Sequence, residues 1–422
     1  MRISIGLWLI AQIVAVFFYW GIPQISDAGT YGDLATIVAA NNVFYPTKDM
    51  LATTDYIFNP GYVNWLSIIY RIFGSLDYAS VFNIALNCLL LAAIFRISLK
   101  LGGKKVAEWT AILFCMLSSN FLIAPLRMTE LPFLCLSMIS VALLTRIGLW
   151  NSILAGVIII IADYIRPTGI IYALPCILYL IFIRRKLKEL IAYLGGIAIG
   201  AVLILTFNYE VSQGSVFLSS TTSGINMRLG AFDEATGSYP YAEIPDPNLV
   251  SMDNPNVFDT DKAYRKDAIQ WITENPTRWL VLSAKKVFYL IVMDYWLESS
   301  LPGERSDMRI SERKAELFTL SAVYYLVSFL AIAGIWVKRR ELWGVYGLVL
   351  IPVLGVLFLA ILTVGSPRYH YPAMPSILFF AANAICTLIG KSTGYAYGVR
   401  GEGYRHIATF RQRMQATVQS DS

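Results

Sequence analysis

The chain has 422 residues, of which 56% are hydrophobic and only 15% charged. Soluble proteins carry roughly 25% charged residues, so this composition excludes an ordinary soluble domain and describes a membrane protein. The net charge of +6 sits in short clusters between apolar runs, a pattern of membrane topology rather than of nucleic-acid binding, and no nucleic acid is expected as a partner.

Residues 1–20 combine Arg2 with a long apolar run. No small-x-small cleavage site precedes Ile22-Pro23-Gln24, so the segment reads as a retained first span rather than a signal peptide. A polar stretch follows, "ISDAGTYGDLA", with carboxylates at Asp27 and Asp33. Next comes "FNPGYVNWLSIIYRIFG". Pro60 and Gly61 stop any upstream helix, and Tyr62–Phe73 gives about 18 Å of helix, too short to span. A helix on or near the outer surface is expected there, anchored by Tyr62, Trp65 and Tyr70 and covering a cavity between membrane and water.

Further apolar segments fall near 80–99, 107–124, 130–146, 152–165, 169–183, 190–207, 317–337, 343–364 and 372–390. With 3–22 they make about ten transmembrane helices of an all-α polytopic membrane protein, at about 20 residues per span. The longest interruption, 208–278, is on the scale of a loop or small subdomain. Residues 1–390 therefore form one transmembrane module with 208–316 as an outer loop. Residues 391–422 form a basic polar tail, expected to be cytosolic and partly disordered.

Lysine and arginine in short loops set the orientation. Lys100/Lys104/Lys105, Arg184/Arg185/Lys186/Lys188, Lys338/Arg339/Arg340 and the tail all fall on the cytosolic side together with Arg2. The opposite side then receives 23–79, 125–129, the "DYIRPTG" bend, 208–316 and "SPRYHYP". One segment tests this scheme. Residues 278–299 are apolar and long, but the internal pair Lys285-Lys286 and the Trp/Tyr content suit a helix lying in the interface.

Several chemistries drop out. The five cysteines lie inside apolar stretches without redox or metal-ligand spacing and read as small buried residues. Two histidines, His370 and His406, make no zinc site, and no P-loop is present. No cofactor is expected; a carboxylate site for Mg²⁺ or Mn²⁺ is left open.

Charges in or beside spans are costly and mark functional sites by default. Asp27 has the ordinary reading of a capped helix start, and Glu130 in "APLRMTELPF" that of an acid at a helix N-terminus. Arg166 in "ADYIRPTGI" reads equally well as a local pair with Asp163. An aromatic belt covers Tyr369 and Tyr371 in "GSPRYHYPAMP" but accounts less well for Arg368. By the topology all four bends open on one side. Two carboxylates and two arginines there suit transfer from a phosphate-linked donor: arginine binds phosphate bidentately, and a carboxylate takes a proton from an attacking hydroxyl.

At these residues the sequence resembles a known family. "SDAGTY", "NPGYVNWLSIIYRIFG", "TELPFLCLS", "YIRPTGIIYALP" and "RYHYPAMP", in this order, resemble bacterial membrane glycosyltransferases of the GT-C fold. The relatives are the protein O-mannosyltransferase-like enzymes and the lipid A aminoarabinose transferases. The stretch "NYEVSQGSVFLSSTTSGINMRLG" with "KDAIQWITENPTRW" is similar to their periplasmic loop, so the resemblance covers most of 1–390. It implies a multi-pass bacterial inner-membrane enzyme with its site facing the periplasm. The donor would be a hexose or pentose on a polyprenyl phosphate, and the acceptor a lipid- or protein-linked hydroxyl in cell-envelope glycan modification such as that of lipopolysaccharide. The transfer would be inverting. Asp27 matches the first-loop catalytic Asp and Glu130 the second-loop acid. Tyr31 matches the aromatic that often follows the Asp; with Asp33 and Tyr369 it is assigned to substrate binding. Arg166 and Arg368 match basic positions near the donor phosphate.

The sequence also departs from the family. Many mannosyltransferases carry Asp-Glu where Ala28 follows Asp27 here, so that substrate does not carry over. The sequence is also shorter than the aminoarabinose enzymes, and their large C-terminal periplasmic domain is not expected here. Two rivals remain. An O-antigen polymerase or ligase would use 208–316 as its periplasmic loop and an oligosaccharide on a diphosphate. A lipid-linked glycan flippase would also hold arginines for phosphate, but internal repeats and mid-membrane helix breaks are not seen. The run "LSSTTSGINMRLG" has the composition of a mobile binding loop.

Overall fold

The computed structural model describes residues 1–54, 56–239, 246, 256–294, 318–319 and 321–390, and the regular structure among them is helical throughout. The first half contains α1 (Arg2–Tyr19), α2 (Ser26–Ala40), α3 (Lys48–Thr53), α4 (Pro60–Phe73), α5 (Tyr78–Gly102), α6 (Lys104–Met116), α7 (Ser119–Leu122), α8 (Glu130–Leu144), α9 (Leu149–Ile165), α10 (Ile170–Leu178) and α11 (Leu187–Val211). Then follow α12 (Ser223–Leu229), α13 (Val257–Glu274), α14 (Pro276–Ile291), α15 (Ala322–Val337), α16 (Val345–Leu362), a 3₁₀ turn at Pro367–Ala373 and α17 (Met374–Leu388).

Among the described residues, five stretches are long and apolar enough to cross a membrane: α1, α5, α11, α16 and the continuous 3₁₀–α17 unit, Pro367–Leu388. Four shorter apolar helices are α8, α9, α15 and α10 with its π-helical extension to Arg184. The expected span 107–124 is instead broken at Leu117 between α6 and α7. The chain is therefore a multi-pass helical membrane protein, its ten expected spans divided among these three kinds of element. Exposed large apolar side chains such as Phe17, Phe18, Leu203, Phe329 and Phe358 cover its flanks, as lipid-facing helices require.

Close packing follows from small residues. A Cβ on Gly156 of α9 would lie 2.1 Å from the Tyr193 carbonyl of α11, and one on Gly196 2.1 Å from the Ile153 carbonyl. Only glycine lets these backbones approach so closely. Asn208, near the C-terminal end of α11, ties neighbouring segments together: its Oδ1 accepts from Tyr164 Oη at 2.7 Å and its Nδ2 donates to the Phe217 carbonyl at 2.8 Å.

The short helix expected after Pro60 is present as α4. Pro60 takes the first turn, where its missing N–H costs nothing, and Gly74 ends the helix at φ 72°. One face, with Tyr62, Val63, Leu66 and Ile69, is buried, while Ile68 and Ile72 are exposed. It packs mainly on α2, and also on α5 and α9.

The long loop is ordered where it is described. Asn256 opens α13 with a capping box to Asp259. Ala231, Phe232, Ala235, Ala268, Trp271 and Leu282 form a small second core. The Ser/Thr-rich run read as a mobile loop is tied down: Ile57 N donates to Thr221 Oγ1 at 2.8 Å, Thr221 N donates back to the Ile57 carbonyl at 3.2 Å, and α12 follows. Helix α14, the interfacial candidate, has 16 residues and packs on α16 and the 3₁₀ turn. The basic tail lies outside the described residues.

Candidate active site

The four bends singled out by charge meet. Helix α2 begins at Ser26 with Ile25 as its N-cap, and no side chain caps it. The ordinary reading of Asp27 as a cap is thus set aside. Its carboxylate turns to the 3₁₀ turn and accepts from Arg368 Nη1 through Oδ2. Glu130, the first residue of α8, accepts from Arg368 Nε and, at 2.7 Å, from Arg166 Nη1, both on Oε1. Arg166 Nη1 also reaches Thr129 Oγ1 at 3.0 Å.

The Asp163–Arg166 pair does not form. Asp163 Oδ1 accepts from Gly169 N at 2.7 Å and closes the bend, which frees Arg166 to cross to α8. The glycine before the last bend has a related task. A Cβ on Gly365 would lie 2.1 Å from the Lys286 carbonyl, so this position lets Thr363–Ser366 pass against α14 and deliver Arg368.

Exposure separates the two acids. The Glu130 side chain is fully buried, while that of Asp27 is 38% exposed. Among the described residues no hydrogen bond reaches Asp27 Oδ1. Glu130 is a clamp for two guanidinium groups; Asp27 is the acid that an incoming molecule can reach. The two positive and two negative charges balance, which a water-poor site demands.

Tyr31 lies one helical turn after Asp27 on the same face of α2. It is buried between Phe58 and Tyr62, and its hydroxyl accepts from Asn59 Nδ2 at 2.7 Å. Burial raises its pKa well above that of free tyrosine, partly offset by Arg368. It is a neutral strut beneath the acid. Asp33 is not brought into the group: it is exposed, while Tyr31 and Gly32 beside it are buried. Tyr369 places its ring 5.8 Å from the Arg166 guanidinium carbon.

Sequence reasoning missed Tyr239. Its hydroxyl lies 2.6 Å from that of Tyr369, so the long loop reaches over the charged group. Gly365 N donates to the Gly237 carbonyl at 2.9 Å and fixes that crossing. Nothing local around Tyr239 signals this, because the contact spans 130 positions. Asn59, directly before Pro60-Gly61, was legible as a loop residue but not as the partner of Tyr31. His370 turns the other way: its Nδ1 meets the Leu290 carbonyl at 2.8 Å and its ring stacks on Tyr324, anchoring the turn that carries Arg368. Among the described residues no three His, Cys, Asp or Glu side chains gather as a metal site.

Residues 65–234 match the model of glycosyltransferase family 87. The match includes Glu130 and Arg166 and leaves Asp27 and Arg368 outside. It bears out, for that part of the chain, the glycosyltransferase resemblance read from the motifs. No curated protein matches the sequence. Among solved structures, the chain is similar to an oligosaccharyltransferase of Archaeoglobus fulgidus tethered to an acceptor peptide. That overlay has 14% identity and a TM-score of 0.47, and covers 94% of this chain and 52% of that one. The chain thus spans about half the length of the archaeal protein. It is also similar to ArnT of Cupriavidus metallidurans bound to undecaprenyl phosphate, with 12% identity, 87% and 77% coverage and a TM-score of 0.37.

Proposed function

We propose that the protein is a membrane glycosyltransferase that moves a single sugar from a polyprenyl monophosphate to an acceptor hydroxyl at the outer face of the membrane. The observation that carries this reading is one partly exposed carboxylate, Asp27, held against two largely buried arginines that share the buried Glu130. The match to glycosyltransferase family 87 supports the same class of reaction.

In this reading Asp27 accepts the proton of the acceptor hydroxyl as its oxygen forms the new bond to the anomeric carbon. The bond from that carbon to the phosphate oxygen breaks, and the lipid phosphate leaves with the electron pair. Attack opposite the leaving group inverts the anomeric centre. Arg368 and Arg166 face the charge that grows on the phosphate, where fixed guanidinium groups need little reorganisation. Glu130 keeps both in position. Tyr369 and Tyr239 line the side from which the acceptor enters. The sugar is a hexose or pentose, the acceptor a lipid- or protein-linked glycan, and the compartment the periplasm of a bacterial inner membrane.

The test offers purified protein a labelled sugar on polyprenyl monophosphate and, separately, an oligosaccharide on polyprenyl diphosphate. Consumption of the monophosphate donor alone is expected. Consumption of the diphosphate alone would assign a polymerase or ligase, and binding without consumption of either would assign a flippase. Parallel assays with EDTA settle a metal requirement.

A further inference from the structure

A third arginine at the same end of the bundle, Arg127, has no work in that reaction. Arg127 lies on the 125–129 connection before α8. Its backbone is held firmly: Arg127 N donates to Gln24 Oε1 at 2.8 Å, and Gln24 Nε2 donates to the Pro125 carbonyl at 2.7 Å. Asn83 Nδ2 adds bonds to the Ala124 and Leu126 carbonyls at 3.1 and 2.8 Å. The guanidinium presented by this loop has no hydrogen-bond or ion-pair partner among the described residues, and its Nε is fully buried without an acceptor.

Arg127 lines a cavity of about 260 Å³ between the end of α1 at Gly21–Pro23, Tyr70 of α4 and the Ser75–Asp77 turn. Asp77 is the carboxylate in that lining. It takes one hydrogen bond, from Ser75 Oγ at 2.9 Å to Oδ2, and it does not reach Arg127 within ion-pair distance. Burial pulls the pKa of Arg127 down, and Tyr62, Asp77 and Asp33 oppose that pull. The cavity thus offers one cation and one anion, held apart.

The rim shows what environment it opens to. Trp20 and Tyr78 meet edge to face at 5.4 Å, and Phe73 stacks on Tyr78 at 4.8 Å. All three rings are exposed. Exposed Trp and Tyr at helix ends mark the headgroup level of a bilayer. A ligand matched to this lining would present a negative and a positive charge at headgroup level.

We infer that the cavity between α1, α4 and the 125–129 loop binds the headgroup of a zwitterionic phospholipid with a primary amine, its phosphate on Arg127 and its ammonium on Asp77. The pairing is one of charge-assisted hydrogen bonds at both ends. It is separate from the Asp27–Glu130–Arg166–Arg368 group and does not depend on the transferase reading.

The test is native mass spectrometry of the purified protein in detergent. Phosphatidylethanolamine, phosphatidylcholine and phosphatidylglycerol are supplied at equal concentration. Wild type should retain phosphatidylethanolamine over phosphatidylcholine, which has no N–H to give Asp77, and over phosphatidylglycerol, which has no cation. Arg127→Gln should lower that retention roughly tenfold, the scale of one charge-assisted bond, with Arg127→Lys retaining part of it. Asp77→Asn should erase the preference over phosphatidylglycerol. Thermal unfolding of each variant confirms that it is folded. Equal retention of the three lipids by wild type would overturn the assignment. So would a preference that survives Arg127→Gln, or an Arg127-dependent preference for phosphatidylglycerol.

Discussion

Arg368 and Arg127 sit on loops at the same end of one helical bundle and differ in almost every respect that matters. Arg368 spends its N–H groups on two carboxylates from distant helices, and a third guanidinium, that of Arg166, shares one of them. Arg127 meets no acceptor, although Asp77 and Asp33 are near enough to bear on its charge. Buried charge is tolerated only with compensation. The charges of the Arg368 group are therefore paired within the chain, although the buried Nε of Arg166 has no acceptor there. The Arg127 cavity is rigid but incomplete.

The largest effect should come from breaking the completed group. Glu130→Gln leaves Arg166 and Arg368 without their common carboxylate. Removing one partner of a buried ion pair costs about 3–5 kcal/mol, so thermal unfolding in detergent should fall markedly and sugar transfer should disappear with it. An unchanged unfolding temperature would show that the clamp is not what holds the two bends.

Removing the Tyr239 hydroxyl gives a smaller change. Tyr239→Phe deletes one hydrogen bond at the rim, about 1 kcal/mol or roughly fivefold. It should raise the acceptor KM by that order while leaving the unfolding temperature and the donor KM unchanged. A drop in kcat alone would place Tyr239 in the chemistry rather than at the entrance.

A buried lysine sharpens the comparison through pH. Lys286 is fully buried, and its Nζ donates to the Ile361 carbonyl at 2.9 Å, near the end of α16. Burial pulls its pKa down to about 8, whereas an unfolded lysine titrates near about 10.4. Between these values the unfolded chain holds more protons. The contribution of this residue to stability therefore rises with pH from about 8 and levels off above about 10.4. Unfolding midpoints at pH 7.5 and 9.5 should show this gain in wild type and not in Lys286→Met. The smallest effect expected is that of Arg127→Gln on unfolding. A side chain with no partner in the chain holds nothing together, so its midpoint should stay within about 1 kcal/mol of wild type in lipid-free detergent.

Much of this comparison was legible in the sequence, for physical reasons. Asp27, Glu130, Arg166 and Arg368 stand out because charge beside apolar helices is costly, and topology alone put their bends on one side. The short helix after Pro60 followed from a breaker and a length. Other features depend on distant contacts. Asp33 was assigned to substrate binding, but α2 turns it to solvent. Tyr31 looked like a substrate contact, and Asn59 with Tyr62 makes it a buried strut. Tyr239 and the empty neighbourhood of Arg127 become visible only when loops far apart in the chain pack together. Among the described residues the ten apolar runs became five helices long enough to span, four shorter apolar helices and one run broken at Leu117.

The central claim is that Asp27 is the accessible base, and two carboxylates on one helix test it. Asp27→Asn and Asp33→Asn should both fold and stay in the membrane. With a labelled sugar on polyprenyl monophosphate, Asp27→Asn should lose transfer by roughly 10²–10⁴-fold, the contribution of a general base, while Asp33→Asn keeps wild-type rates. Transfer that survives Asp27→Asn, or that is lost equally in Asp33→Asn, would contradict the account.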